Sequence, residues 1–117
     1  MRVRYLSFAI ADLAEIRAYL GTNYPSLVTE ARQKLRDSLN GLARFPNLGR
    51  SGRVFGTREL VIPKVGKLTY VAVYRVVGDE VQILRVLVGR RDIDGILAEG
   101  LGMRISINPY FFKPAFL

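Results

Sequence analysis

The 117-residue sequence contains no cysteine and no histidine. The first absence excludes a disulfide framework, a thiol nucleophile and a cysteine zinc site. The second removes the commonest general base, the Ser/His triad and the usual nitrogen ligand of metals. Any catalysis must therefore use Arg, Lys, Tyr or carboxylates, and no metal or cofactor is expected. Long apolar runs are missing too. No stretch approaches the ~18 residues of a membrane span, and residues 1–11 lack the apolar core of a signal peptide. The expectation is a cytoplasmic protein with no membrane partner. The glycine-bearing segments, residues 49–56 and Gly66, do not follow the strand, loop and helix order of a phosphate-binding loop, which excludes a nucleotide fold of that kind.

What is present suits one small core. Half of the residues are hydrophobic, and domains of this length ordinarily close around a single core. Eighteen Lys and Arg face ten Asp and Glu, a net charge of +8. Such an excess points to an acidic partner: nucleic acid, an anionic surface or an acidic protein.

Residues 2–6 alternate basic and apolar like a half-buried strand, and Ser7 is placed to cap a helix. Leu13, Ile16 and Leu20 recur at helical spacing, with Asp12 and Glu15 towards the positive end and Gly21 as a stop. Pro25 suits the opening of a second helix, whose stripe is Leu27, Ala31, Leu35, Leu39 and Leu42. Phe45-Pro46 should end this helical hairpin. Residues 46–57 read as a Gly- and Pro-rich loop, and residues 58–62 as a strand closed by Pro63. Residues 68–76 and 80–88 are the clearest strands, joined by a Gly78-Asp79 hairpin turn. A helical turn follows at 92–98. The fold class is thus α+β: an N-terminal strand, a two-helix hairpin and a three-stranded antiparallel meander forming one small sheet.

With a two-residue turn, Val77 faces Glu80, Val73 faces Leu84 and Val71 faces Val86, giving an aliphatic face to cover the helices. The opposite face then carries Tyr70, Ala72 and Tyr74 across from Leu87, Arg85 and Ile83. Arg85 projects between two tyrosines over the small Ala72, an arrangement suited to a phosphate-bearing, base-stacking ligand. It equally suits an arginine that only stacks or pairs with a carboxylate. Arg58 could join the same row. Arg75, opposite Gln82, should face the helices and pair there. Arg90 and Arg91 read first as a solvated strand exit, and Arg50, Arg53, Lys64 and Lys67 as basic loop positions able to touch phosphates.

The order of motifs resembles a known family. Asp12-Leu13-Ala14-Glu15-Ile16 with Tyr19-Leu20, then Phe45-Pro46-Asn47-Leu48-Gly49-Arg50, then Gly56-Thr57-Arg58-Glu59-Leu60-Val61 is similar to the ParE branch of the RelE/ParE toxin superfamily. Tyr74-Arg75-Val76, Ile83-Leu84-Arg85-Val86-Leu87, Gly89 and Arg91-Asp92 continue it, so that it covers roughly residues 2–94. The resemblance implies a toxin of a type II toxin-antitoxin pair, two helices packed on a small sheet, and neutralisation by a cognate, acidic antitoxin that wraps around it. Residues 1–98 would form the toxin domain and 99–117 an apolar extension of unknown role.

ParE-like toxins poison DNA gyrase, whereas RelE-like toxins cut messenger RNA on the ribosome. RNA cleavage needs a base, an acid and cations for the phosphorane charge. Arg85, Arg58 and Tyr74 would be the catalytic set for that reading. Yet residues 87–92 offer no His or Tyr, and Val88 stands where many ParE-like relatives have histidine. A gyrase-binding toxin without covalent chemistry is therefore the expectation, with Arg58, Tyr70, Tyr74, Arg85, Arg90 and Arg91 as candidate target-binding residues. A ribosome-dependent endoribonuclease and a non-toxic antitoxin-binding module are the alternatives.

Overall fold

The computed structural model describes residues 1–89 and 93–99. Strand β1 (Arg2–Tyr5) leads into helix α1 (Ser7–Asn23), a single 3-10 turn (Pro25–Leu27) and helix α2 (Val28–Gly41). Strands β2 (Arg50–Ser51), β3 (Arg58–Val65), β4 (Leu68–Val77) and β5 (Glu80–Val88) follow, then helix α3 (Ile93–Ala98). The expected α+β class holds, with one strand more than anticipated. The sheet has five strands in the order β1-β5-β4-β3-β2, with β1 parallel to β5 and the other pairs antiparallel.

Several boundaries differ from the sequence expectations for identifiable reasons. Ser7 is the first residue of α1 rather than its cap; Leu6 holds the cap position in extended geometry, with no side-chain capping bond. Asp12 and Glu15 accordingly lie beyond the first turn. The helix runs through Gly21, where an added Cβ would meet nothing within 4 Å, and stops at Tyr24 (φ −143°, ψ 61°). Tyr24 precedes Pro25, and proline drives the preceding residue out of helical geometry. Helix α2 stops at Gly41, ahead of Phe45-Pro46, and turns carry the chain to the loop. Strand β3 continues past Pro63 because its register with β4 shifts between Ile62 and Val65, so the missing N–H falls at an irregularity.

The largest correction concerns the two faces of the hairpin. Val77 does face Glu80, but Tyr74 pairs with Ile83 and Val73 with Arg85, which leaves Leu84 as the extra residue of a β-bulge. Val71 then faces Leu87. Tyr70, Ala72 and Tyr74, with Ile83 and Val86, pack beneath α1 and α2 among Ile16, Leu20, Leu35 and Leu39. Val71, Val73, Leu84 and Leu87 form the opposite face, covered by Ile93 and Leu97 of α3 and by Val54. The tyrosine face is thus the helix-facing one, the reverse of the expectation. A sheet apolar on both faces carries no alternation that tells which one the long helices cover.

Candidate functional site

The residues singled out in the sequence divide into two internal arrangements. The first centres on Tyr74, fully buried. Its hydroxyl donates to the Pro46 carbonyl at 2.7 Å and accepts the Gly49 N–H at 2.9 Å. Arg58, directly across the ladder from Tyr74, donates to the Gly49 carbonyl at 2.7 Å and the Asn47 carbonyl at 3.4 Å. Arg58 and Tyr74 do share a row, and together they hold the loop after α2. Burial pushes the Tyr74 phenol above its ordinary value against the opposing pull of the Gly49 N–H and Arg58. Tyr70, also buried beneath the helices, is raised by burial and by Tyr19. Neither phenol is poised to give or take a proton near neutrality.

The second centres on Arg85. Its Nε and Nη2 donate to the Asp12 carboxylate at 2.7 and 2.9 Å, and Asp12 Oδ2 also accepts the Val86 N–H at 2.9 Å. Strand β1 pairs with β5 only as far as Ile83. Beyond it the bulge brings Arg85 to α1, and Asp12 supplies the acceptor that a neighbouring strand would have given Val86. The guanidinium lies 5.5 Å from the Phe8 ring centroid. Its hydrogen bonding to Asp12 outweighs burial and raises its pKa, so it stays charged. Arg85 therefore lies beside no pair of exposed tyrosines. It serves first as the partner of a buried helix carboxylate.

Arg75 does stand opposite Gln82 and donates to its side-chain oxygen at 2.7 Å, but on the face away from α1 and α2. Arg90 and Arg91, the remaining candidates, lie outside the described residues, as does the extension beyond residue 99. Val88 is one wall of a cavity of about 340 Å³ beside Asp12, Glu15 and Tyr70, and brings no proton-transfer group to it.

Sequence reasoning missed the most buried ion pair. Arg53 grips Glu59 with Nε and Nη2, each at 2.9 Å, and its own backbone N–H joins the same carboxylate at 2.9 Å. Its Nη1 reaches Asp94 of α3 at 2.8 Å. Burial pulls the Arg53 pKa down, but Glu59 and Asp94 together carry it above its usual value. A Gly- and Pro-rich context suggested a loose basic loop. Only the period-two placement of Glu59, which puts it inward on a strand, hinted at an internal cation.

A second concavity lies elsewhere, between α1 and α2, with a volume of about 510 Å³. Leu13, Ile16, Leu20, Ala31, Leu35 and Leu39 provide its apolar surface, and Arg17, Arg32 and Arg36 stand along it with no carboxylate among the described residues of its lining. Among the described residues these three guanidiniums hold no ion pair or hydrogen bond. An apolar trough flanked by uncommitted cations fits an amphipathic segment that carries carboxylates beside its apolar face. No group of three or more acidic side chains able to hold a metal occurs among the described residues. No helix there is long and apolar enough to cross a membrane.

Comparison with known proteins agrees with this architecture. Residues 3–93 match the family model described as the ParE toxin of the type II toxin-antitoxin system parDE. The chain belongs to the ParE toxin family. One relative is the candidate toxin Y4kP of Sinorhizobium fredii (strain NBRC 101917 / NGR234), 34% identical over 86 residues that span 74% of this chain and 85% of that protein. A solved neighbour comes from the chromosomal ParDE toxin-antitoxin system of P. aeruginosa, with a TM-score of 0.60 and 30% identity. That match covers 74% of this chain and 92% of the other. The protein is a ParE-type toxin of a type II toxin-antitoxin system, and membership in that family implies an antitoxin partner.

Proposed function

We propose that this ParE-type toxin arrests growth in the cytoplasm by binding DNA gyrase, and that a cognate acidic antitoxin silences it by filling the groove between α1 and α2. The observation that carries the first half is the commitment of the polar side chains that RNA cleavage would require. Tyr74 has both hydrogen-bonding roles of its hydroxyl occupied by backbone and a raised pKa. Arg85 is held by Asp12, and Arg58 by the loop carbonyls. A buried neutral phenol and two engaged guanidiniums supply neither a base for a 2′-hydroxyl nor free cations for a phosphorane. Binding, by contrast, needs only surface. The antitoxin half is supported by the uncommitted Arg17, Arg32 and Arg36 along an apolar trough.

Purified toxin added to a gyrase supercoiling reaction should block supercoiling or trap cleaved DNA. Normal supercoiling at saturating toxin would sink the reading. In that event ribosome-dependent loss of messenger RNA during growth arrest would favour the endoribonuclease. Unimpaired growth on expression without antitoxin would favour a non-toxic antitoxin-binding module.

A further inference from the structure

The loop that Tyr74 and Arg58 hold presents a second surface. Phe45 N–H bonds to the Gly41 carbonyl at 3.0 Å and Leu48 N–H to the Phe45 carbonyl at 3.1 Å. Core side chains then hold the Pro46, Asn47 and Gly49 backbone from beneath. Gly49 sits so close that a Cβ there would lie 2.8 Å from both the Glu59 carbonyl oxygen and the Tyr74 ring. Despite this immobilisation, Phe45 and Leu48 are the two most exposed large apolar side chains among the described residues, at 60% and 61%. The exposed Arg44 places its guanidinium 5.7 Å from the Phe45 ring centroid.

The backbone of this loop is fastened by Tyr74 and Arg58, so it presents Phe45 and Leu48 from a fixed position. A rigid loop also loses little conformational freedom on docking. Aromatic and leucine anchors of this kind gain most when a partner supplies a pocket that excludes water. Arg44 beside Phe45 sets the charge of that pocket's rim. A second copy of a chain carrying +8 is a poor match for a cationic patch.

We propose that residues 44–49 are the target-docking element of the toxin, with Phe45 and Leu48 entering an apolar pocket rimmed by carboxylates on the target protein. The loop follows the end of α2, past the groove residue Asn40. Inhibition and neutralisation are therefore divided between two surfaces. The inference rests on the binding mode of action proposed above, and its test separates the two.

Phe45→Ala, Leu48→Ala, the double variant and Arg44→Glu are compared with wild type in gyrase supercoiling, alongside urea unfolding. Because these side chains are exposed, unfolding midpoints should match wild type. The concentration for half inhibition should rise at least tenfold for each alanine variant and further for the double variant, with Arg44→Glu also weakened. Wild-type potency in the double variant overturns the proposal. If wild-type toxin itself leaves gyrase untouched, the gyrase reading fails and growth arrest becomes the readout. The double variant must then fail to arrest growth, and full arrest overturns the docking element. A wild-type dimer that the double variant dissociates, seen by sedimentation, also overturns it, since the loop would then belong to a contact between copies.

Discussion

Tyr74 uses both hydrogen-bonding capacities of its hydroxyl on one loop, and its removal should be felt as two losses. Tyr74→Phe leaves the Gly49 N–H and Pro46 carbonyl without their partner, a cost of about 1–3 kcal/mol. Urea unfolding with an unchanged slope would measure it. The same residue gives stability an alkaline limit. Burial raises the phenols of Tyr5, Tyr70 and Tyr74 in the fold, whereas unfolded tyrosine ionises near ~10. Above that pH the unfolded chain binds fewer protons than the native one. Stability is therefore full below about pH 10 and falls as pH rises towards the folded values. Tyr74→Phe should show a shallower fall than wild type. Asp12 is the other residue with several duties. Asp12→Ala strands Arg85 and the Val86 N–H, and should cost about 3 kcal/mol, the low end for a broken buried pair because Arg85 keeps 16% exposure. Asp12→Asn retains an acceptor for Val86 and should recover part of the loss.

Helix α3 is six residues long, too short to persist alone, and is held by packing and by one charge network. Arg53 is central to that network because it faces a fully buried Glu59 and a half-exposed Asp94. Arg53→Ala leaves the Glu59 carboxylate buried without its cation and should destabilise by about 3–5 kcal/mol. Asp94→Ala removes a solvated partner and should cost about 1 kcal/mol or less. Comparable losses from both variants in denaturant titrations would contradict this ranking. The strands themselves were legible: Val, Ile and Tyr runs around Gly78-Asp79 located β4 and β5 almost to the residue. Their facing was not. Both sides of the hairpin are apolar, so neither alternation nor turn geometry distinguishes them, and a bulge at Leu84 shifts every pair beyond it. Asp12 was hidden because its partner, Arg85, is far away in sequence; Glu59 has its partner, Arg53, only six residues away, but across a loop whose composition reads as solvated.

The molecule as a whole separates its charges. Arg53 and Arg85 are matched by carboxylates, whereas the groove cations Arg17, Arg32 and Arg36 have no carboxylate partner among the described residues. Arg32→Glu with Arg36→Glu should leave folding intact but abolish capture of an acidic antitoxin co-expressed with the toxin, read by co-purification. The order of motifs made the family, and with it an antitoxin partner, legible from residues alone. The groove was not, since it arises from the splay of two helices whose apolar stripes both read as core. In the function proposed above, the protein acts by binding rather than by cutting. Calorimetric titration of purified toxin into gyrase, with no nucleic acid or nucleotide present, tests it most directly. The prediction is saturable binding at defined stoichiometry, preserved in Arg85→Lys. No heat of binding to folded toxin at micromolar gyrase, with messenger RNA cleaved on ribosomes by the same preparation, would contradict it.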